Sequence, residues 1–200
     1  MMEEIPGWAV ASAGLAPLAL VGGWTLGAAR QPPAYDSVRD TISELAGRGA
    51  SDRWVMTSAL AALGACHVVT ALGLRPASTA GRLVLAGGGV ATMFVAGTPL
   101  PNEGSSRAHT IAAGSSFLAL GAWPVFASRR KTSTAPLRID VSVGVSGLLL
   151  ALVAWFVIEL RGSRGGFAER AAAGGQALWP LVVVLAARNK AKHPRAGSWS

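Results

Sequence analysis

An all-α integral membrane bundle is the fold class the sequence predicts: six transmembrane helices, with one short amphipathic helix in the first outer loop. Three observations carry this. Charged residues are 14% of the chain, against roughly 25% in soluble proteins. They cluster, leaving long stretches with none. Those stretches recur at about 20 residues, the length a helix rising about 1.5 Å per residue needs to cross a hydrocarbon core about 30 Å thick. The hydrophobic content of 51% is only slightly above a soluble average, so the distribution decides.

The first span is expected at about residues 7–29, uncharged, with Gly23 and Gly27 as a small-xxx-small pair that permits close helix approach. Arg30 and Pro32-Pro33 end it. The leader Met-Met-Glu-Glu is acidic where a signal peptide is basic, and the apolar run is too long, so this helix is expected to be retained. The second span is expected at 54–74, between Arg53 and Arg75-Pro76. The third, at 83–98, lies between Arg82 and a Pro99-Leu100-Pro101-Asn102 turn. The fourth, at 108–127, precedes Arg129-Arg130-Lys131. The fifth, at 141–158, lies between Asp140 and Glu159. The sixth, at 171–187, leads into a basic tail at 188–200 with Arg188, Lys190, Lys192 and Arg195. A single membrane domain accounts for the whole length.

The net charge of +8 does not indicate nucleic-acid binding, because no basic helix or aromatic-basic interleaving occurs outside the apolar segments. Arginine and lysine sit at segment ends instead. On an even number of spans both termini share one side. That side carries ten of the 18 basic residues, including Lys131, Lys190 and Lys192, so both termini are expected in the cytoplasm. The tail is then a topology anchor lying against anionic headgroups. Seven of the ten acidic residues fall outside: Asp36, Asp40, Glu44, Asp52, Glu103, Glu159 and Glu169. Loop solubility explains them, and so does a polar site at the outer mouth. The single cysteine, Cys66, excludes an internal disulfide.

Residues 30–53 form the one long loop. Tyr35, Val38, Ile42 and Leu45 recur at helical spacing, opposite Asp36, Arg39, Asp40 and Ser43, with Gly47 and Gly49 as stop signals. An amphipathic helix is expected from about Ala34 to Ala46, lying on the membrane or capping the bundle.

The run Tyr35-Asp36-Ser37-Val38-Arg39-Asp40-Thr41-Ile42-Ser43-Glu44-Leu45 resembles the Ser-Glu-Leu signature of a prokaryotic membrane family catalogued as domain of unknown function 998. Pro99, Pro101, Asn102 and Glu103 after the third span resemble it too, as do His109 opening the fourth and Gly166, Phe167, Glu169 and Arg170 opening the sixth, with Trp179 beyond. The chain departs from the pattern in reading Ser-Glu-Leu-Ala-Gly for Ser-Glu-Leu-Gly. The resemblance covers nearly the whole chain and implies a six-helix fold without an activity. The family is distantly similar to eukaryotic membrane proteins of lipid remodelling and autophagy modulation, which points toward lipids.

On this topology Ser43, Glu44, Asn102, Glu103, His109, Glu169 and Arg170 all reach the outer side from four segments. Charges near hydrocarbon tend to face the bundle interior and pair. A ring of hydrogen bonds and ion pairs holding the loops is one reading. The chemical reading makes His109 a general acid or base, with Glu44 or Glu169 orienting it and Ser43 a nucleophile. Arg170, with Arg107, Asn102 and Glu103, would then bind a lipid phosphate or carboxylate. No nucleophile-elbow motif surrounds Ser43. No paired-His or Cys-x-x-Cys spacing suggests a metal, and nothing suggests another cofactor. His67 lies about 20 Å into the second span, where it is a functional candidate or hydrogen-bonds a neighbouring helix. Cys66 points about 100° away from it. The tryptophans, Trp8, Trp54 and Trp179 among them, read as interfacial anchors. His193 reads as solvated.

Three functions are compatible with these features. One is a lipid- or isoprenoid-modifying enzyme with an outward-facing polar site and membrane lipids as partners. Another is a small transporter: the third and sixth spans are the short ones, occupy matching places in a three-plus-three division, and contain Gly87-Gly88-Gly89 and Gly174-Gly175 with Pro180. The last is a structural or regulatory partner of another membrane protein. The oligomeric state is open.

Overall fold

The computed structural model describes residues 5–192. The leader, together with His193 and Arg195 of the expected tail, lies outside the described residues. The order of elements is α1 (Gly7–Ala28), α2 (Ile42–Leu45), α3 (Trp54–Gly73), α4 (Thr79–Gly97), α5 (Arg107–Ala127), a 3-10 turn (Ala135–Leu137), α6 (Ile139–Glu159) and α7 (Gly165–Lys192). Six of these are long and apolar enough to cross a membrane, so the chain is a multi-pass membrane protein. Leu18, Leu83, Phe94, Leu118, Leu148 and Ile158 stay exposed around the bundle, where only lipid makes such a surface favourable.

The long helices form a closed ring in the order α1, α3, α4, α5, α6, α7, with α7 returning to α1. Glycines set the tightest approaches. A Cβ on Gly23 would overlap the methyl group of Ala59, so α1 and α3 touch there backbone to side chain. Between α3 and α4, a Cβ on Gly89 would lie 2.5 Å from the carbonyl oxygen of Gly64. The core divides along the bundle axis. Leu20, Ile42, Leu45, Met56, Leu60 and Leu63 pack at the end that carries α2. Leu74, Leu85, Leu120, Trp123, Val183 and Val184 pack toward the opposite end.

Two spans start earlier than the hydropathy suggests. α4 begins at Thr79 because Ser78 caps it, its Oγ accepting the Gly81 N–H at 3.1 Å. Arg82 is therefore inside α4, and it caps α3 by donating to the carbonyls of Ala71 and Leu72 at 2.8 and 2.9 Å. α7 begins at Gly165 because its first N–H groups find acceptors in the long loop: Gly166 N donates to Arg39 O and Phe167 N to Val38 O, each at 2.9 Å.

The expected helix from Ala34 to Ala46 is corrected to one turn, Ile42–Leu45. Aspartates divert the backbone before it. Asp36 Oδ1 accepts the Val38 N–H and Asp40 Oδ2 accepts the Asp36 N–H, both at 2.8 Å. Such side-chain bonds compete with helical ones. The carbonyls of Ser37, Val38, Arg39 and Asp40 are occupied by α7. Thr41 then restarts the helix with a capping box: its Oγ1 accepts the Glu44 N–H at 3.1 Å, and its own N–H donates to Glu44 Oε2 at 2.5 Å. Of the apolar stripe, Ile42 and Leu45 are buried and Val38 is exposed.

Two smaller expectations also change. Trp179 is not a helix-end anchor, because α7 continues through Pro180 to Lys192 and Trp179 is packed against the core. α7 is 28 residues long rather than short, and both α4 and α7 run unbroken, which removes the short-helix argument for a transporter.

Candidate functional site

Glu169 lies one turn into α7 and is 3% exposed. Its Oε1 accepts the Ser43 hydroxyl at 2.9 Å, and its Oε2 accepts the Ile42 N–H. A buried carboxylate needs such donors, and here they come from the first turn of α2. The four-residue run from Ile42 thus binds α7 through polar contacts on one side, while Ile42 and Leu45 bury their side chains on the other.

Arg170, next in sequence, turns to the loop. Its Nη1 donates to the carbonyls of Ser37, Asp40 and Gly166 at 2.8 to 2.9 Å, and its Nη2 donates to the Tyr35 hydroxyl at 2.6 Å. One guanidinium therefore ties the loop to the start of α7. Gly166 makes the approach possible, because a Cβ there would overlap the Asp40 carbonyl oxygen and lie 2.7 Å from that of Ser37. Burial pushes the Tyr35 phenol above its usual pKa, with the Arg170 charge opposing. The hydrogen bond from Arg39 holds the Asp40 carboxyl below the usual carboxylate range.

His109 opens α5 and is 5% exposed. Its Nδ1 lies 2.8 Å from the Thr98 carbonyl oxygen. A carbonyl can only accept, so Nδ1 carries a proton, and Nε2 of the neutral ring is an acceptor.

Ser43, His109 and Glu169 line one cavity of about 370 Å³ between α5, α6 and α7. Thr41 and Thr110 complete its polar wall. The rest is apolar, with Phe117, Leu118, Val153, Phe156 and Val157 running along α5 and α6. Leu118 and Val157 are among the exposed residues of the bundle flank. The cavity therefore has a polar head at the α2 end and an apolar body beside the lipid-facing surface.

The other expected residues do not join it. Glu44 is exposed and engaged in its capping box. With Asp40 and Asn102 it lines a separate polar cleft of about 450 Å³ on the loop surface. Glu103 and Arg107 are exposed. Among the described residues, no three His, Cys, Asp or Glu side chains gather as a metal site.

Sequence reasoning missed a second group inside the ring. Thr92, Ser116 and Gln176 are buried with His67 at the centre of the bundle. Thr92 Oγ1 and Ser116 Oγ are 2.7 Å apart, and Gln176 Nε2 donates to Phe117 O at 2.8 Å. Gln176 could have been found as a lone amide in an apolar segment. Serine and threonine carry no such signal, since they are common in transmembrane helices.

A family model described as Protein of unknown function (DUF998) matches residues 14–186. No curated protein and no solved structure matches the chain.

Proposed function

The chain belongs to the DUF998 family, and from that premise we propose that this multi-pass membrane protein handles a lipid, taking one amphiphile from the outer leaflet. The head lies among Ser43, His109 and Glu169, and the chain lies along α5 and α6. A single observation carries the reading: one cavity combines a polar end at these three residues with an apolar body open toward the position of acyl chains. Placing the α2 end outside rests on the distribution of basic residues, with both termini cytoplasmic and the basic end of α7 near anionic headgroups.

The head chemistry follows from the wall. Among the described residues no arginine or lysine lines the cavity, and both terminal nitrogens of Arg170 donate to the loop. The favoured head is a hydroxyl or amine rather than a phosphate. Such a group donates to His109 Nε2 or to the Glu169 carboxylate. In the enzyme reading, His109 Nε2 removes the head proton as a general base.

Photoactivatable long-chain alcohols and amines, added to protein in nanodiscs, test this. Saturable labelling of Phe117, Leu118 and Val157 is expected, and His109→Ala should weaken it. Uniform labelling of the whole lipid-facing surface would refute the site. Turnover lost in His109→Ala, with the labelling and fold retained, would assign the histidine to chemistry.

A further inference from the structure

His67 is fully buried at the centre of the bundle, and neither ring nitrogen has a hydrogen-bond partner. An unmet polar group in hydrocarbon surroundings is costly. Its neighbours supply a reason. His67 lines a narrow internal cavity of about 50 Å³ together with Thr92, Ser116, Gln176, Ser43 and Glu169. One water needs roughly 10–15 Å³ of such space and two to four polar partners, so the cavity has room for a short file of waters with side chains to hold them.

We propose that this cavity is a hydrated chamber in which waters link the His67 imidazole to the Glu169 carboxyl group, so that His67 exchanges protons with the α2 end of the bundle. The Glu169 carboxylate takes up a proton from the α2 side and passes it to the first water, each water passes one on, and the last delivers one to a ring nitrogen. Carboxylate and imidazolium result, and the reverse transfer returns the proton to the α2 side. Among the described residues, Glu169 is the one titratable side chain that shares the chamber with His67. α1 contributes Leu20 to the walls, α4 contributes Thr92 and Val95, and α5 contributes Ser116, Phe117 and Leu120, none of which is charged.

The chamber is closed on its other side. Leu120 lines it and belongs to the apolar core with Leu74, Leu85, Trp123, Val183 and Val184. Leu120 is the chamber wall on that side and offers water no hydrogen-bond partner, and neither Trp123 nor Trp179 lines the chamber, so exchange is one-sided. The outcome is a half-channel ending at mid-membrane. Glu169 forms a wall of both this chamber and the amphiphile cavity, but the hydration argument stands on His67 without the lipid reading.

Radiolytic hydroxyl labelling of the intact protein in nanodiscs tests the water, because it oxidises side chains beside bound waters even when they are buried. Leu63 lines the chamber and is 4% exposed, whereas Leu74 is fully buried in the dry half. Labelling of Leu63 above Leu74 is expected in the unaltered protein, falling to the Leu74 level in His67→Leu. Leu63 labelled no faster than Leu74 would overturn the proposal, whatever the fate of the variant. Sidedness is read from the nitrogen resonances of His67 in proteoliposomes. They should follow pH on the α2 side and lose that response in Glu169→Gln. A response to the opposite side alone, or an unchanged response in Glu169→Gln, would refute the path. Neither readout involves a lipid ligand, so failure of the amphiphile site would leave it unaffected.

Discussion

The Ser43 hydroxyl donates to Glu169 Oε1 at 2.9 Å across 126 residues of chain. With the Ile42 N–H on the other carboxylate oxygen, it fastens the one-turn helix α2 to the start of α7.

Glu169→Ala should detach that turn. It leaves the Ile42 N–H and the Ser43 hydroxyl without their acceptor, at about 1–3 kcal/mol for each buried group so orphaned. Ser43→Ala should cost less, about 1 kcal/mol, since it removes one donor and leaves the other. Thermal unfolding in detergent measures both. Faster hydrogen exchange at residues 42–45 in Glu169→Ala alone would locate the effect.

Gly166→Ala should destabilise the protein by about 1–3 kcal/mol, because the new methyl group must displace backbone rather than a flexible side chain. Proteolysis of the loop at residues 35–41 should become faster. An unchanged rate would mean that the loop and α7 can separate without loss.

Arg170→Lys should behave as a disruptive change. A lysine amine cannot donate at once to the carbonyls of Ser37, Asp40 and Gly166 and to the Tyr35 hydroxyl. A loss of about 1.5–3 kcal/mol is expected. The pH at which Tyr35 ionises should move upward as the nearby charge shifts away, readable by ultraviolet titration.

Acid should weaken the loop in a defined direction. The folded Asp40 carboxyl lies below its usual range because of Arg39, so it contributes stability above the unfolded pKa of about 3.9. That contribution is lost as pH falls through the lower folded value. Asp40→Asn should remove this part of the acid dependence while leaving the rest. A pH profile identical to the parent would show that the pair contributes nothing.

Gly114→Phe probes the amphiphile cavity without touching its polar end. Gly114 lines the cavity, and a Cβ there meets nothing within 4 Å. The ring should occupy the apolar body and abolish saturable lipid labelling, with a change in stability below about 0.5 kcal/mol, as for open surface sites. Labelling that persists would place the lipid elsewhere.

The six spans were legible because hydrocarbon imposes one rule on every segment that crosses it: a long apolar run whose backbone is satisfied internally. Arg53, Arg75 and the Pro99–Asn102 turn marked helix limits for the same reason. Helix starts were less legible. Arg82 looked like a boundary by charge, yet it sits inside α4 because its side chain reaches the carbonyls ending α3. The stripe of Tyr35, Val38, Ile42 and Leu45 had helical spacing, but spacing says nothing about which carbonyls a distant arginine will occupy.

The same division governs the site. Charge in or beside an apolar run drew attention to Glu169, His109 and His67 one at a time, since each is costly there without a partner. Which of them share a wall was decided by the ring closing α7 onto α1 and by the backbone hydrogen bonds that join the start of α7 to the long loop, segments far apart in sequence. Ser43 therefore meets Glu169, whereas its neighbour Glu44 turns to its own capping box and a different cleft. Burial cost is a property of each residue and its local run, so the chain alone carries it. Partner choice depends on distances across the bundle, and only packing sets those.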